Sequence, residues 1–205
     1  MSSEVHAIVP SVPAICTPEL HREARADQDV VRDRRRERVL LRSAQRGDAG
    51  AFEELFHRHW ARAHRAAWLV LRDGPAAEDV VQEAFLSAIR NLDRFDVRRP
   101  FGPWLHRIVV NRAIDAARAR ALRHEAWIPD VPDRAAEPAG RPDGVDAALA
   151  ALPPDQRAVI VLRFVLDYTP GEIARILELP RGTVNSRLRR ALDRMETVMR
   201  ARTDP

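Results

Sequence analysis

The 205-residue sequence contains no lysine: all 34 of its basic residues are arginine, against 30 acids, for a net charge of +4. An all-arginine composition suits a GC-rich coding genome. It equally suits phosphate recognition, because guanidinium forks match phosphate oxygens, and composition does not separate the two causes. A single cysteine, Cys16, excludes an internal disulfide and a cysteine-clustered zinc site and points to a reducing, cytoplasmic compartment. Only 8 glycines, with no Gly-rich loop after a strand pattern, leave no Walker or Rossmann nucleotide site, so no cofactor is expected. No run approaches the ~18 uninterrupted apolar residues of a membrane-spanning helix. Glu4 stands where a signal peptide wants positive charge, and Pro10 and Pro13 break any apolar stretch behind it. What is present is an apolar share of 45%, which argues against wholesale disorder, and 31% charge, which argues against membrane insertion. A chain of this length can bury one good core or two small ones.

Charge sorted along the chain divides it. Residues 1–36 hold six Arg and six acids without a sustained apolar period and read as a flexible N-terminal extension. Residues 37–124 form a first domain. Residues 125–144 form a linker whose Pro129, Pro132, Pro138 and Pro142 forbid a continuous helix and whose charge is acidic. Residues 145–203 form a second domain. Strand periodicity is absent throughout, so the expected fold class is all-α, two small helical domains joined by a flexible acidic Pro-rich linker.

In the first domain Asp48 is a plausible N-cap, after which Phe52, Leu55, Phe56, Ala63, Ala66 and Val70 recur at helical spacing. Asp73-Gly74-Pro75 closes that helix and opens another, in which Val81, Ala84, Phe85, Ala88 and Leu92 keep the same rhythm. A loop over residues 95–100 leads to Gly102-Pro103 and a long helix reaching about Arg123. Residues 73–96 carry a net −4, whereas residues 97–123 carry +6. On that last helix Arg107, Asn111, Asp115 and Arg118 share one side, with Leu105, Val109, Ala113 and Ala116 on a neighbouring apolar stripe. The polar side suits nucleic acid or, more plainly, is a solvated amphipathic face.

The second domain contains Thr169-Pro170-Gly171-Glu172, an N-cap, a proline at the first helical position and a capping-box glutamate. The short helix turns Ile173, Ala174 and Leu177 inward. After Glu178-Leu179-Pro180 a second helix begins at Arg181, with Val184, Leu188, Ala191 and Met195 on its core side and Asn185, Ser186, Arg189 and Arg190 opposite. Two short helices around a tight turn, the second basic outside, make a helix-turn-helix. Its second helix offers Arg181 and N-terminal amides to a phosphate, and Asn185, Arg189 and Arg190 to base edges.

The two halves together resemble the sigma-70 family of bacterial RNA polymerase initiation factors, in its small extracytoplasmic-function (ECF) branch. The residues that carry the resemblance are Ala77–Leu86, Phe101–Arg112, Leu152–Arg157, Glu172-Ile173-Ala174 and Gly182–Leu188. The resemblance implies a sigma-70 domain 2-like helical bundle and a domain 4-like helix-turn-helix, and a non-enzymatic factor that binds core polymerase, directs it to promoters and helps melt the −10 region. It implies docking of Glu78, Asp79, Gln82 and Glu83 on the β′ clamp helices, with further contact to the β subunit. It assigns Arg98, Arg99, Phe101, Trp104, Arg107, Asn111 and Arg112 to the −10 element, although the residues themselves favour Trp104 as core. It assigns Arg181, Thr183, Asn185, Ser186, Arg189 and Arg190 to the −35 element, and it threads the linker toward the active-site and RNA-exit channels. An anti-sigma factor is a common partner in such families. Relatives often carry Gly at the turn where this chain has Glu178. A positive φ there costs a non-glycine residue ~1 kcal/mol. Asn185 stands where Lys or Arg is frequent, which exchanges a phosphate contact for adenine readout.

Other features lead elsewhere. Of His57, His59 and His64, only the first and last share a face, and no cysteine completes a tetrahedral metal set. Glu53-Glu54 and Asp79/Glu83 read as solvated or docking surface rather than catalytic carboxylates, and Cys16 as a bystander or a redox sensor. The alternatives are a helix-turn-helix regulator acting without polymerase, which has no use for an acidic-then-aromatic-basic first domain, and a nuclease, which lacks a metal or nucleophile constellation.

Overall fold

The computed structural model describes residues 18–126 and 144–203, with side chains over 32–123 and 144–202, and every regular element among them is helical. Most of the linker expected over 125–144, together with Cys16, lies outside the described residues. Residues from Glu37 onward form one compact unit, and those before it form another. Helix α1, Pro18–Gln45, runs back through much of the stretch whose sequence suggested a flexible extension. In that sequence, charges of opposite sign recur three and four residues apart, as at Glu19/Arg22 and Arg25/Asp29, a spacing that supports a helix without an apolar face.

The first helical group is built as its caps dictate. Asp48 accepts from the Ala51 N–H at 3.1 Å and starts α2, Ala49–Leu71. Asp73 accepts from the Ala76 N–H at 3.0 Å and starts α3, Gly74–Arg90, with Pro75 in its first turn. The left-handed residue between them is Arg72 (φ 60°) rather than Gly74. A 3-10 turn, Leu92–Arg94, and a short loop lead into α4, Phe101–Ala126. Leu55, Val70, Val81, Phe101, Leu105, Val109 and Val110 are fully buried at the centre, with Phe52 and Phe56 packing their rings on Phe85. Gln45 Nε2 donates to the Leu92 and Phe95 carbonyls at 2.8 and 2.9 Å and pins the end of α1 to the 3-10 turn.

The second group comprises α5 (Gly144–Ala150), α6 (Pro154–Ile160, continued by one π turn, Val161–Val165), α7 (Pro170–Leu177) and α8 (Arg181–Thr203). Thr169 and Glu172 make the expected capping box, the Glu172 carboxylate accepting from the Thr169 N–H at 2.8 Å. Those backbone and hydroxyl donors hold the Glu172 carboxyl below its ordinary pKa. Glu178 takes the left-handed conformation at the turn (φ 53°, ψ 43°). Ile173, Val184 and Ala191 close the core beneath it.

The two groups share one continuous hydrophobic core. At its centre the guanidinium of Arg157 donates to the carbonyls of Leu149, Ala150 and Leu152 in its own group and to that of Val70, at the end of α2, at 2.7 Å. Helix C-termini leave such carbonyls unpaired and partly negative, so one buried cation satisfies the ends of α2 and α5 together. Burial, with Arg72 nearby, lowers its pKa to about 10, and it remains charged at neutral pH.

Candidate docking face and nucleic-acid interface

Glu78, Asp79, Gln82 and Glu83 all stand exposed on α3, because Ala77, Val80, Val81, Ala84 and Phe85 claim its inner side. The same outer side continues into two large apolar residues, Leu86 and Ile89, 55% and 47% exposed. Glu78, Gln82, Leu86 and Ile89 follow one another at steps of four, four and three, so the stripe is acidic at one end and apolar at the other. Exposed apolar side chains beside carboxylates suit a protein surface and repel a polyanion.

Around the corner, the end of α3 and the start of α4 enclose a groove of about 370 Å³ lined by Ser87, Asn91, Arg94, Phe95, Trp104, Arg107 and Ile108. Its aromatic wall is the Phe95–Trp104 pair, with ring centroids 4.7 Å apart. Arg94 and Arg107 supply cations, and Asn91 and Ser87 supply polar groups. An aromatic plane beside guanidinium groups is what an unstacked base and its phosphates need. Trp104 is half-buried and lines the groove, so it serves core and groove at once. Phe101 is fully buried against His59, Phe95 and Trp104 and presents no surface to DNA, contrary to its sequence assignment. The first turn of α4 points inward, which puts Phe101 in one row with buried Leu105 and Val109. Arg98 and Arg99 are exposed on the preceding loop. Arg98 closes a local pair with Asp96 at 2.9 Å, which lowers the Asp96 pKa.

Along α4 the polar side is exposed at Arg107, Asp115 and Arg118 and half-buried at Asn111 and Arg112, with Arg112 3.7 Å from Glu83. On α8, Arg181, Asn185, Arg189 and Arg190 are exposed, whereas Thr183 and Ser186 are half-buried and the Ser186 hydroxyl donates to the Thr183 carbonyl at 2.9 Å.

The sequence matches the family described as Sigma-70 region 2 over residues 40–123 and Sigma-70, region 4 over residues 143–195. It is 37% identical over 171 residues to the ECF RNA polymerase sigma factor SigM of Mycobacterium tuberculosis, covering 82% of this chain and 87% of that protein. The chain belongs to the sigma-70 family, in its ECF branch. The ECF RNA polymerase sigma-E factor of Escherichia coli is 33% identical over 179 residues, 78% of this chain and 92% of that one. Among solved structures, CnrH in complex with the cytosolic domain of CnrY superposes with a TM-score of 0.62 at 31% identity, covering 81% of this chain and 98% of CnrH. The sigma factor RpoE of Bartonella quintana, in complex with the anti-sigma factor NepR, gives 0.59 at 25% identity, covering 73% and 96%. This ECF sigma factor is therefore a promoter-specific, polymerase-binding initiation factor and not an enzyme, and no described helix is long and apolar enough to cross a membrane.

Several residues that sequence reading passes over organise the sigma factor. Glu37 pairs with His59 at 2.9 Å, both side chains little exposed. Burial pushes the Glu37 pKa up, but the His59 hydrogen bond and charge and the Phe101 N–H outweigh it and leave it lowered. A side chain beginning at Gly102 would meet the His59 ring at 3.7 Å and the Tyr168 hydroxyl at 3.9 Å, ordinary contact distances, so the start of α4 packs closely beside both. His106 Nδ1 and the Tyr168 hydroxyl share a 2.7 Å hydrogen bond, while His106 Nε2 is buried without a partner. Burial, and then the nearby His59 and Arg62, depress His106 to about 3. Burial raises the pKa of Tyr168. The histidines that suggested a metal have separate surroundings: His57 lies 3.7 Å from Glu53, and His64 stacks on Trp60.

Proposed function

We propose that the stripe from Glu78 through Gln82 to Leu86 and Ile89, with Asp79 and Glu83 beside it, docks on the β′ clamp helices of core RNA polymerase. The groove between Phe95, Trp104, Arg94 and Arg107 takes an unstacked base of the −10 element, with Arg98, Arg99, Asn111 and Arg112 along the strand path. Asn185, Arg189 and Arg190 read the −35 element, with Arg181 and Thr183 at the phosphate-facing start of α8. The second group, residues 145–203, also meets the β subunit, and an anti-sigma factor regulates the chain, as the complexes formed by CnrH and RpoE suggest.

The observation that carries this reading is the pairing, on one small bundle, of an acidic–apolar ridge with an aromatic–arginine groove: one binds protein, the other a polyanion, and neither blocks the other. Two modest DNA modules gain effective concentration once polymerase fixes their spacing. The test is run-off transcription with core polymerase on a promoter library. Leu86→Asp is expected to abolish polymerase capture, and Trp104→Ala to preserve capture but lose open-complex formation. Wild-type activity from both variants refutes the assignment.

A further inference from the structure

We propose that the second helical group is an internal competitor for promoter DNA: in the free chain its acids occupy the arginines of the DNA face of α4 and hold the sigma factor closed. This rests on the reading that α4 faces the −10 element. Ion pairs among the described residues link the groups with the arginine in the first group and the acid in the second. Arg72 meets Asp146 at 2.9 Å, Arg107 meets Glu178 at 2.6 Å and Arg118 meets Asp155 at 2.6 Å.

Two of those arginines are on the polar side of α4, and Arg107 also lines the aromatic groove. A strand entering the groove therefore meets a carboxylate already seated on its cation, and the release of counterions that drives phosphate binding is forfeited at that position. Asp155 is held from both sides, by Arg118 of α4 and by Arg187 of α8 at 3.1 Å, so it ties the face of the first group to the recognition helix of the second.

Glu178 points the same way. It occupies a left-handed turn position that glycine fills without strain, and its carboxylate is the group that reaches Arg107. Beneath the ion pairs, the His106–Tyr168 hydrogen bond and the Arg157 bond to the Val70 carbonyl fix the register of the two groups. Exposed ion pairs hold weakly one by one. The ion pairs thus add their small terms to the shared core and the buried Arg157 link, and polymerase overcomes the sum by binding the open form better.

The test uses the full chain with Cys16→Ser and spin labels at Arg90→Cys on α3 and Arg194→Cys on α8, both exposed. The parent should give one narrow inter-label distance. The triple variant Asp146→Asn, Asp155→Asn, Glu178→Gln should give a longer, broader distribution. It should also bind a fluorescein-labelled forked duplex with a randomised single-stranded arm about tenfold more tightly. A charge-matched control, Glu53→Gln, Asp193→Asn, Glu196→Gln, separates this from the general effect of removing three negative charges and should gain less than about twofold.

A broad distribution in the parent, or a narrow one that persists in the triple variant, overturns the latch and leaves the DNA assignments standing. Opening without a gain over the control overturns the masking. In that event Arg107→Ala, assayed with core polymerase on a premelted template and on a closed duplex, tells whether the DNA reading of α4 has fallen with it.

Discussion

The polar sides of α4 and α8 are both arginine-rich and both read from sequence as nucleic-acid faces, yet their surroundings differ. On α8, Arg181, Arg189 and Arg190 stand exposed, with Asn185 between them. On α4, Arg107 and Arg118 are engaged by Glu178 and Asp155 from the other helical group. Helical periodicity reports that a side is polar and not what it faces. An internal acid and a DNA phosphate make the same demand on an arginine, so the two helices show one sequence signal in two different settings.

The largest effect is expected where the two groups are joined most firmly. Arg157→Met leaves the carbonyls of Val70, Leu149, Ala150 and Leu152 without their donor. It should cost ~3–5 kcal/mol in urea unfolding, because removing one partner from a buried charged network exposes the full desolvation penalty of the rest. If the loss is under about 1 kcal/mol, the exposed-pair range, the groups are not one cooperative body and the contrast between α4 and α8 dissolves.

Acid should weaken the same junction. His106 is neutral in the folded chain, with its pKa depressed to about 3, whereas an unfolded histidine titrates near its ordinary 6.5. Its contribution is complete above pH 6.5 and is lost progressively as pH falls from there toward 3. Comparing wild type with His106→Gln isolates this slope from that of the carboxylates, and wild type should lose ~2–4 kcal/mol more over that window. Parallel stability curves would show that the His106–Tyr168 contact is not kept in solution.

Arg190→Ala should cost ~1–3 kcal/mol in discrimination at the upstream element if it reads a base. Arg107→Ala should impair opening instead, with a premelted template restoring transcription. Indistinguishable phenotypes would erase the distinction between the two faces. The smallest effect belongs to Glu178→Gly: relief of a left-handed non-glycine residue gains ~1 kcal/mol, and loss of a half-exposed pair costs ~0.2–1 kcal/mol. Thermal stability should therefore change little, and a large loss would mean that Glu178 holds the turn by something beyond Arg107.

Local signals were legible in the sequence and long-range ones were not. Asp48, Asp73 and Thr169 sit at their caps as their chemistry requires, and the outward acids of α3 follow from the apolar rhythm beneath them. That relatives fill the turn with glycine raises the question of a positive φ at Glu178 without deciding it, and the residue is left-handed there. Arg157 and Val70, or His106 and Tyr168, are separated by 87 and 62 residues and belong to no periodic pattern, so no spacing announces them. The family resemblance puts Phe101 among the DNA candidates, although its row with Leu105 and Val109 marks it as core. The groove residues Asn91 and Arg94 were missed because they come from the end of one helix and a 3-10 turn, which only the packing of α3 on α4 brings opposite Trp104.

The half-buried Trp104 has an optical consequence. Trp60 and Trp68 lie elsewhere on α2, the first beside His64 and Phe85 and the second under Arg72. An indole in the groove wall changes its emission when a base stacks on it or when the carboxylate next to Arg107 withdraws. The fourth tryptophan, Trp127, lies outside the described residues, so with Trp60, Trp68 and Trp127 replaced by Phe the remaining indole reports on the groove alone, and the order of the proposed closure, opening and base capture can be timed by stopped flow without an added label.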